Sequence, residues 1–386
     1  MRVGIVGLGS RLAYLARIFS VTLGDDFRVV AHVDPEPFGL SYAEEHGVPV
    51  GRAYGTLDAM LAGEKLDLLM VGSPNHLHLG HIRAGLEAGV RVFTEKPVVT
   101  TVADTLELAR LLHAHGPDNV MVGLVLRYAP LYVDLRRAQT EGLLGEIVSI
   151  EASEHLGTYH GAFFMRDWRR YEKYSGSFML EKCCHDLDLY NGVMGCRPRY
   201  VSSFGGRKTF IPKNAPEAQG SNDLEVYYRK PGGWMATDKV FDSDADIIDF
   251  QQALVEYENG SSLCFHTNLN VPDEYRRFAV MGVRGMAEGD FVRNFFKVTD
   301  ARTERRLIDK TYGASDLSVH YGADEQMAHD IARHLVDGAP LPVSILDALE
   351  AGLLALAMDD ARRTRSVIDM TETWRQFDAA LAGAEG

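Results

Sequence analysis

The sequence predicts an α/β fold in two parts, a doubly wound parallel sheet followed by an α+β domain with a large, mainly antiparallel sheet. In the first 124 residues, short apolar runs alternate with helical stretches. After Arg127, strand-like runs follow one another with few helices between them. A chain of 386 residues is also long for a single core, which favours two domains. We therefore expect one domain over residues 1–124 and a second over residues 125–386.

The first part has the pattern of a parallel sheet. Its candidate strands are short apolar runs: Val3–Val6, Val29–Val33, Leu68–Val71, Val90–Phe93 and Val120–Leu124. Its candidate helices lie between them: Leu12–Leu23, Leu40–Glu45, Leu57–Leu61, Gly80–Ala88 and Val102–His113. Strands that alternate with helices predict parallel crossover units. Because these runs are apolar throughout, both faces of the sheet should be covered.

The second part begins with a helical stretch, Leu131–Glu141. Its candidate strands are Ile147–Ala152, Tyr200–Phe204, Ala253–Tyr257, Ser262–Leu269, Phe278–Val283 and Phe295–Thr299. Asn259-Gly260 separates two of these runs and is a strong hairpin signal. The stretch from Gly205 to Asp246 has weak periodicity and predicts a long loop or lid. Apolar stripes then predict helices between Asp324 and Asp360.

The composition limits the possible partners and the compartment. The net charge is −14, from 40 basic and 54 acidic residues. Without a basic patch, we expect neither nucleic acid nor a membrane surface as a partner. The longest apolar runs have the length of strands, and the chain begins directly with one, which leaves no room for a signal peptide. Four cysteines without a zinc-like spacing are most consistent with a reducing cytoplasm.

A glycine turn at the end of the first strand predicts a dinucleotide site. Gly7 and Gly9 stand between the first apolar run and a helical stretch, as in the Rossmann fingerprint. Backbone amides from Gly7 through Ser10 and Arg11 to Leu12 would meet the pyrophosphate at the helix N-terminus. Leu12 departs from the fingerprint, which has glycine or alanine there. The alternative is an ordinary strand-to-helix turn without a ligand.

Asp34 favours the dinucleotide interpretation and indicates which dinucleotide is bound. It ends the second apolar run, where a carboxylate accepts the ribose hydroxyls of NAD. The same charge would repel the 2′-phosphate of NADP. Arg11 lies close enough to the turn to leave NADP open. We therefore expect NAD as the cofactor, with NADP as the alternative.

Two further motifs carry candidate chemistry. Glu95-Lys96-Pro97 follows the fourth apolar run, and the carboxyl ends of parallel strands form the ligand-binding edge of such sheets. Glu181, His185 and Asp188 recur at helical spacing, so they share one helix face. A zinc site at Cys183, Cys184 and His185 is unfavourable, since consecutive helical side chains diverge by about 100°.

Together these motifs resemble the glucose-fructose oxidoreductase/inositol dehydrogenase/rhizopine-catabolism (GFO/IDH/MocA) family, over essentially the whole chain. The resemblance implies a role for Ser73, Asn75 and His78 in a loop over the ribose and nicotinamide. The alternative for His76 and His78 is a solvated loop or a helix N-cap region. It implies that Glu95 and Lys96 contact the cofactor. It also implies that Lys96 acts as the base or polarises the substrate hydroxyl, often beside a cis proline.

The resemblance also implies roles for residues of the second part. His185 would be the second proton-transfer group, and Glu181 would accept or orient a substrate hydroxyl. Ser177 stands where the family has its second glycine, and Glu181 where aspartate is more common. The alternative for this segment is a polar helix face in solvent.

Two pairs of aromatic and basic residues are candidate substrate contacts. They are Arg127 with Tyr128 and Trp168 with Arg169. Aromatic faces can cover the C–H bonds of a polyol while a guanidinium donates to its hydroxyls. Packing between domains is the alternative for each pair.

The family resemblance implies an NAD(P)-dependent dehydrogenase or reductase that acts on a hydroxyl or keto carbon of a sugar, sugar derivative or cyclitol. It also implies a homodimer or homotetramer formed through the second sheet. One alternative is a glycosidase that oxidises its substrate transiently with a tightly held NAD. The other is a non-catalytic nucleotide-sensing regulator, which would need neither Lys96 nor His185.

Overall fold

The computed structural model describes residues 1–217, 224–313, 320 and 322–384. It divides into two compact units. The first unit comprises Met1–Ala129, Ser315–Gly352 and Thr373–Gly386, and the second comprises Pro130–Ala314 and Leu353–Glu372. Among the described residues, no helix is long and apolar enough to cross a membrane.

The helices and strands are numbered along the chain. The helices are α1 (Ser10–Leu23), α2 (Leu40–Glu45), α3 (Leu57–Gly63), α4 (His78–Glu87), α5 (Val102–His115), α6 (Pro130–Thr140), α7 (Thr158–Arg166), α8 (Glu172–Ser175), α9 (Phe178–Met194), α10 (Ala323–Asp337), α11 (Ile345–Thr364) and α12 (Thr371–Leu381). The strands are β1 (Arg2–Val6), β2 (Arg28–Val33), β3 (Arg52–Ala53), β4 (Leu68–Val71), β5 (Arg91–Thr94), β6 (Val120–Val122), β7 (Ile147–Gly157), β8 (Pro198–Gly206), β9 (Phe250–Tyr257), β10 (Ser262–Val271), β11 (Tyr275–Gly282), β12 (Gly285–Asp290), β13 (Phe295–Asp300), β14 (Arg306–Thr311) and β15 (Ile368–Asp369).

The first unit contains the doubly wound parallel sheet that the sequence predicts. Its six strands lie in the order β3-β2-β1-β4-β5-β6, and every pair is parallel. All residues of β4 and β6 are buried, which confirms that the sheet is covered on both faces. The two-residue strand β3 is missing from the sequence-based prediction because Arg52 and Ala53 carry no apolar pattern.

Two helices near the C-terminus, α10 and most of α12, belong to the first unit, although the sequence-based division assigns them to the second. The Arg91 guanidinium donates to the backbone oxygen of Leu335 at 2.8 Å. The His334 ring nitrogen Nε2 lies 3.0 Å from the oxygen of Asp118. These contacts join α10 to the edge of the parallel sheet formed by β5 and β6. A contact between residues so far apart in the chain leaves no local pattern in the sequence.

The second unit contains a nine-stranded sheet in the order β14-β13-β12-β11-β7-β10-β9-β8-β15. Its pairs are antiparallel except for β7 with β10, which are parallel. The Asn259-Gly260 turn joins β9 to β10 as predicted, with Gly260 at a φ of 82°. The sequence-based prediction missed β12, which contains two glycines, and β14, a largely exposed edge strand.

One face of this sheet remains open. Along β9, buried and exposed residues alternate, which is typical of a sheet with one covered face. Leu254 of β9 is 61% exposed and Phe204 of β8 is 65% exposed. In the register of the strands, Leu254 pairs with Ser202 and Cys264, so Leu254 and Phe204 lie on the same face. This face therefore carries large apolar side chains.

A long connection joins β8 to β9, in agreement with the loop predicted over Gly205–Asp246. Its residues 218–223 lie outside the described part. The Asp249 carboxylate accepts hydrogen bonds from the backbone amides of Lys208, Thr209 and Phe210, at 2.7–3.1 Å. This buried carboxylate joins the beginning of the loop to its end.

Candidate functional site

The glycine turn after β1 has the geometry that a dinucleotide requires. Gly7 has a φ of 84°, and a Cβ there would lie 2.2 Å from the Ser73 nitrogen. Gly9 precedes α1, and a Cβ added to it would meet nothing within 4 Å. Ser10, the first residue of α1, is exposed. A tight turn with open space at a helix N-terminus fits the pyrophosphate of NAD.

The structure explains how Leu12 is accommodated in place of the small residue of the fingerprint. Leu12 is buried on α1. The Leu12 side chain packs against Gly72, directly after β4, where a Cβ would lie 2.4 Å from Leu12 Cγ. The small residue that this close packing requires is therefore Gly72, directly after β4, and not a residue of α1.

Gly72→Ala should destabilise the first unit by about 1–3 kcal/mol, because the added methyl group overlaps Leu12. Leu12→Ala in the same chain should remove that overlap, so the two changes should be non-additive. Gly80→Ala is the matched control, since a Cβ at Gly80 on α4 meets nothing within 4 Å. Thermal unfolding of the four variants tests this prediction. Additive effects of the two changes would contradict it.

Asp34 lies directly after β2, next to the strand that carries the glycine turn. Its Oδ1 accepts a hydrogen bond from the Glu36 amide at 2.8 Å. The carboxylate is half-buried at the carboxyl edge of the sheet. An oriented carboxylate at this edge can accept ribose hydroxyls.

The loop after β4 places Ser73, Asn75 and His78 near the same edge. Asn75 is buried, and the Ser73 hydroxyl lies 2.9 Å from His81 Nδ1. Burial lowers the pKa of His81 to about 4, with smaller contributions from His78 and His76.

His78 is a buried side chain rather than part of a solvated loop. Its Nδ1 lies 2.9 Å from the Pro97 oxygen and its Nε2 lies 2.8 Å from the Ser73 oxygen. The imidazole therefore connects the Ser73 loop to the turn that contains Lys96.

The Glu95-Lys96-Pro97 turn follows β5 directly. The Lys96–Pro97 peptide is cis, as the resemblance implies. Glu95 is buried, and its Oε1 accepts from Arg11 Nε at 2.9 Å. Lys96 is half-buried. The turn thus places one lysine at the carboxyl edge of the sheet, on a backbone that neighbouring side chains hold in place.

Arg127 and Tyr128 lie in a 3₁₀ turn, Val125–Tyr128, after β6. Both are buried. Arg127 Nη2 is 3.8 Å from Asp347 Oδ1 of α11, within the first unit.

In the second unit, Glu181, His185 and Asp188 lie on α9 at the predicted helical spacing. All three are buried, with 4%, 7% and 1% exposed area. This excludes a solvated polar face for the segment. Ser177 caps the helix, since its Oγ accepts from the Leu180 amide at 3.1 Å. Its φ of 153° lies in the region that favours glycine, and the family has glycine here.

Arg169 is ion-paired to the candidate Glu181. Its Nε donates to Glu181 Oε1 at 2.6 Å and its Nη1 to Asp167 Oδ1 at 2.8 Å. Burial acts to lower the pKa of Arg169, but Asp167 and Glu181 raise it above its ordinary value. The guanidinium also lies 4.4 Å from the centre of the buried Trp168 ring. Arg169, one of the predicted substrate contacts, therefore orients the candidate Glu181.

Two buried carboxylates that pair with candidate residues, one in each unit, were not identified from the sequence. Asp167 pairs with Arg169 and accepts from the Gly233 amide at 2.9 Å. Its position directly before Trp168-Arg169 in the sequence could have indicated Asp167 as a site residue. Asp324 pairs with Arg11 at 3.0 Å, and nothing local to Asp324 indicates this. Among the described residues, no group of three or more His, Cys, Asp or Glu side chains could hold a metal ion.

A six-stranded parallel sheet with this glycine turn defines the class of Rossmann-type dinucleotide-binding proteins. The chain belongs to the GFO/IDH/MocA family. Residues 1–124 match the oxidoreductase family model with an NAD-binding Rossmann fold. Residues 132–288 match the GFO/IDH/MocA C-terminal domain.

Curated relatives are similar over part of their length. YteT of Bacillus subtilis (strain 168) is 26% identical over 60% of this chain and 62% of that protein. A 2,7-anhydro-N-acetylneuraminate hydratase of Mediterraneibacter gnavus is 29% identical over 52% of this chain and 51% of the relative. An inositol 2-dehydrogenase of Acidothermus cellulolyticus is 24% identical over 64% of this chain and 66% of the relative. The matches thus span about half to two thirds of these relatives.

The fold is similar to solved structures over nearly the whole chain. A levoglucosan dehydrogenase in complex with NADH and levoglucosan has a TM-score of 0.77 at 17% identity. The match covers 96% of this chain and 99% of that one. At this identity, the similarity establishes the fold.

Proposed function

We propose that this protein is an NAD-dependent dehydrogenase that oxidises a hydroxyl group of a sugar, sugar derivative or cyclitol, or reduces the corresponding ketone. The observation that carries the proposal is the Glu95-Lys96-Pro97 turn, which lies at the same sheet edge as the Gly7–Gly9 turn. Relatives named as dehydrogenases of inositol and levoglucosan support this substrate class. Formation of NADH with a panel of polyols is the test.

Lys96 is the proposed base, or the group that polarises the reacting hydroxyl. Oxidation of an alcohol requires that the hydroxyl proton be removed as the C–H bond breaks. NAD supplies the hydride acceptor when it is bound. An amine on a turn held by Glu95 and by His78 through Pro97 is pre-oriented for this proton transfer.

Further residues are proposed to contribute to catalysis or to substrate binding. His185 would be the second proton-transfer group, and Glu181 would accept or orient a substrate hydroxyl. The ion pair of Glu181 with Arg169 supports an ionised, oriented carboxylate. Trp168 and Arg169 in the second unit, and Arg127 and Tyr128 in the first, are the proposed polyol contacts.

The cofactor preference is proposed to depend on Asp34, whereas Ser73, Asn75 and His78 are proposed to form the loop over the ribose and nicotinamide. NAD should bind more tightly than NADP, because the 2′-phosphate would approach the Asp34 carboxylate. Asp34→Ala should narrow or invert that preference. Fluorescence titration with NADH and NADPH measures both affinities. Tighter binding of NADPH with Asp34 intact would contradict the proposal.

A second candidate is a reaction in which NAD oxidises the substrate only transiently, as in some glycosidases of this family. The similarity to a 2,7-anhydro-N-acetylneuraminate hydratase favours it. The two candidates differ in net NADH. A dehydrogenase accumulates NADH in proportion to product, whereas the transient reaction forms product without it.

We also propose that two or four copies associate through the open face of the nine-stranded sheet. Exposed Phe204 and Leu254 on that face support this, since contiguous apolar patches on soluble proteins commonly mark interfaces.

A further inference from the structure

A buried ionic cluster lies beside the glycine turn and involves Arg11. The Arg11 guanidinium donates through Nε to Glu95 Oε1 at 2.9 Å and through Nη2 to Asp324 Oδ1 at 3.0 Å. The side chain of Arg11 is 27% exposed, that of Glu95 is 9% exposed and that of Asp324 is fully buried. Arg11 thus connects the turn after β5 to α10.

Asp324 is itself held on its other oxygen. The Tyr14 hydroxyl of α1 donates to Asp324 Oδ2 at 3.2 Å. His320 Nδ1 lies 3.0 Å from the same oxygen. With both oxygens engaged, Asp324 holds the Arg11 guanidinium in one orientation.

Glu95 is confined on its other sides as well. A Cβ at Gly123, directly after β6, would lie 2.9 Å from Glu95 Oε1. The Lys96 amide donates to Glu95 Oε2 at 3.3 Å. The glutamate preceding Lys96 is therefore fixed by an arginine from α1, by the backbone of β6 and by its own turn.

These contacts suggest a role for Arg11 other than phosphate binding. A guanidinium that binds the 2′-phosphate of NADP must direct its N–H groups at the ligand. Here Nε and Nη2 are directed at two carboxylates. The third nitrogen, Nη1, is buried and makes no hydrogen bond among the described residues. Burial acts to lower the pKa of Arg11, but Glu95 and Asp324 raise it above its ordinary value.

We propose that Arg11 and Asp324 are positioning residues that fix the Glu95-Lys96-Pro97 turn, and that the Arg11 side chain is not a ligand of the cofactor phosphates. Arg11 contributes to the cofactor site through its backbone at the start of α1. Asp324 acts through Arg11, and Arg11 acts through Glu95. The catalytic part of this inference rests on the proposed function, whereas the positioning of the turn and the cofactor selectivity do not.

The principal test uses Asp324→Asn, which removes one charge and keeps the shape of the side chain. Amide hydrogen exchange at residues 94–98 should accelerate in this variant, both with and without NADH, because Glu95 loses its fixed partner. Arg17→Gln is the control variant, because Arg17 lies on α1 as Arg11 does but donates to the Tyr42 hydroxyl at 3.1 Å. Exchange at residues 94–98 that equals wild type in Asp324→Asn would overturn the proposal.

Turnover provides the second measurement, with the polyol that wild type oxidises fastest. In Asp324→Asn, kcat should fall by about 10- to 100-fold, the range expected for a displaced catalytic group. KM for NAD should change little. Arg11→Gln should lower kcat by at least as much, and the double variant should match Arg11→Gln because the two residues act in series. If the two losses in kcat add up in the double variant, Asp324 does not act through Arg11.

Cofactor selectivity separates the two roles of Arg11. The ratio of NADPH to NADH affinity should be the same in wild type and Arg11→Gln, measured by fluorescence titration. A selective loss of NADPH binding would show that Arg11 is a phosphate ligand and would overturn the proposal. If wild type oxidises no polyol, the proposed function fails while the exchange and titration results still decide this inference.

Discussion

Lys96→Ala is expected to lower kcat by about 10²–10⁴-fold, the usual range for removal of a general acid–base group. Binding of NADH should persist, because the proposed pyrophosphate contacts lie at Gly7–Leu12 on another turn. Lys96→Arg should be similarly inactive, since arginine keeps the charge and does not release its proton in proteins. Steady-state kinetics with the best polyol, together with NADH titration, measure both effects.

Lys65→Ala is the control for the Lys96 variants. Lys65 is exposed in the same unit, and its side chain has no proposed role. Its loss should leave kcat unchanged. Near-normal turnover in Lys96→Ala would refute the assignment of Lys96. Full activity of Lys96→Arg would mean that the residue supplies charge rather than proton transfer.

Arg276→Met is expected to lower the free energy of unfolding of the second unit by about 3–5 kcal/mol. Arg276 of β11 forms a bidentate pair with Asp186 of α9, at 2.8 and 2.6 Å. Arg276 also contacts Glu154 of β7. Glu154 forms a second ion pair with Lys182, at 3.0 Å. Removing the guanidinium takes this partner from two buried carboxylates, Glu154 and Asp186, the second of which lies on the helix that carries His185. Denaturant unfolding measures the loss.

The pH dependence of the Arg276 variant provides a second readout. Burial raises the pKa of Asp186 to about 6, although Arg276 acts to lower it. A carboxyl group whose pKa is higher in the folded state than in the unfolded state binds protons preferentially when folded. Because Arg276 lowers this pKa, its removal should raise the pKa of Asp186 further, so that the folded variant binds the proton at a higher pH than wild type does. The stability deficit of Arg276→Met relative to wild type should therefore shrink as the pH falls from about 7.5 towards about 5.5.

Arg306→Met is the matched control for Arg276→Met. Arg306 of β14 forms an ion pair with Glu288 at 3.9 Å, in which both side chains are largely exposed. Exposed pairs contribute at most about 1 kcal/mol. Equal losses in the two variants, or a deficit of Arg276→Met that does not depend on pH, would contradict a special role for the buried cluster.

The sequence predicted the parallel sheet well because each of its main strands is a continuous apolar run between helices. The spacing of Glu181, His185 and Asp188 likewise predicted one helix, α9. These signals are local, since burial and periodicity appear within a few residues of one another. The strands β12 and β14 carry no such signal, because one contains two glycines and the other is exposed.

The contacts that organise the candidate site could not be predicted from local patterns. Gly72 accommodates Leu12 from a different strand, and Asp324 reaches Arg11 from the far end of the chain. The contact of the His78 imidazole with the Pro97 backbone oxygen also joins separate segments of the chain. Each contact depends on the folded arrangement, so the sequence identified the candidate residues and the structure identified what holds several of them.

The most direct test of the proposed dehydrogenase activity is the appearance of NADH absorbance when the purified protein is mixed with NAD and single polyols. The panel should include myo-inositol, levoglucosan and glucose, with Lys96→Ala as the blank. We expect at least one polyol to yield NADH in stoichiometric amount with its ketone, and Lys96→Ala to form NADH at least about 100-fold more slowly. Product without accumulated NADH, or equal NADH formation by Lys96→Ala, would contradict this function.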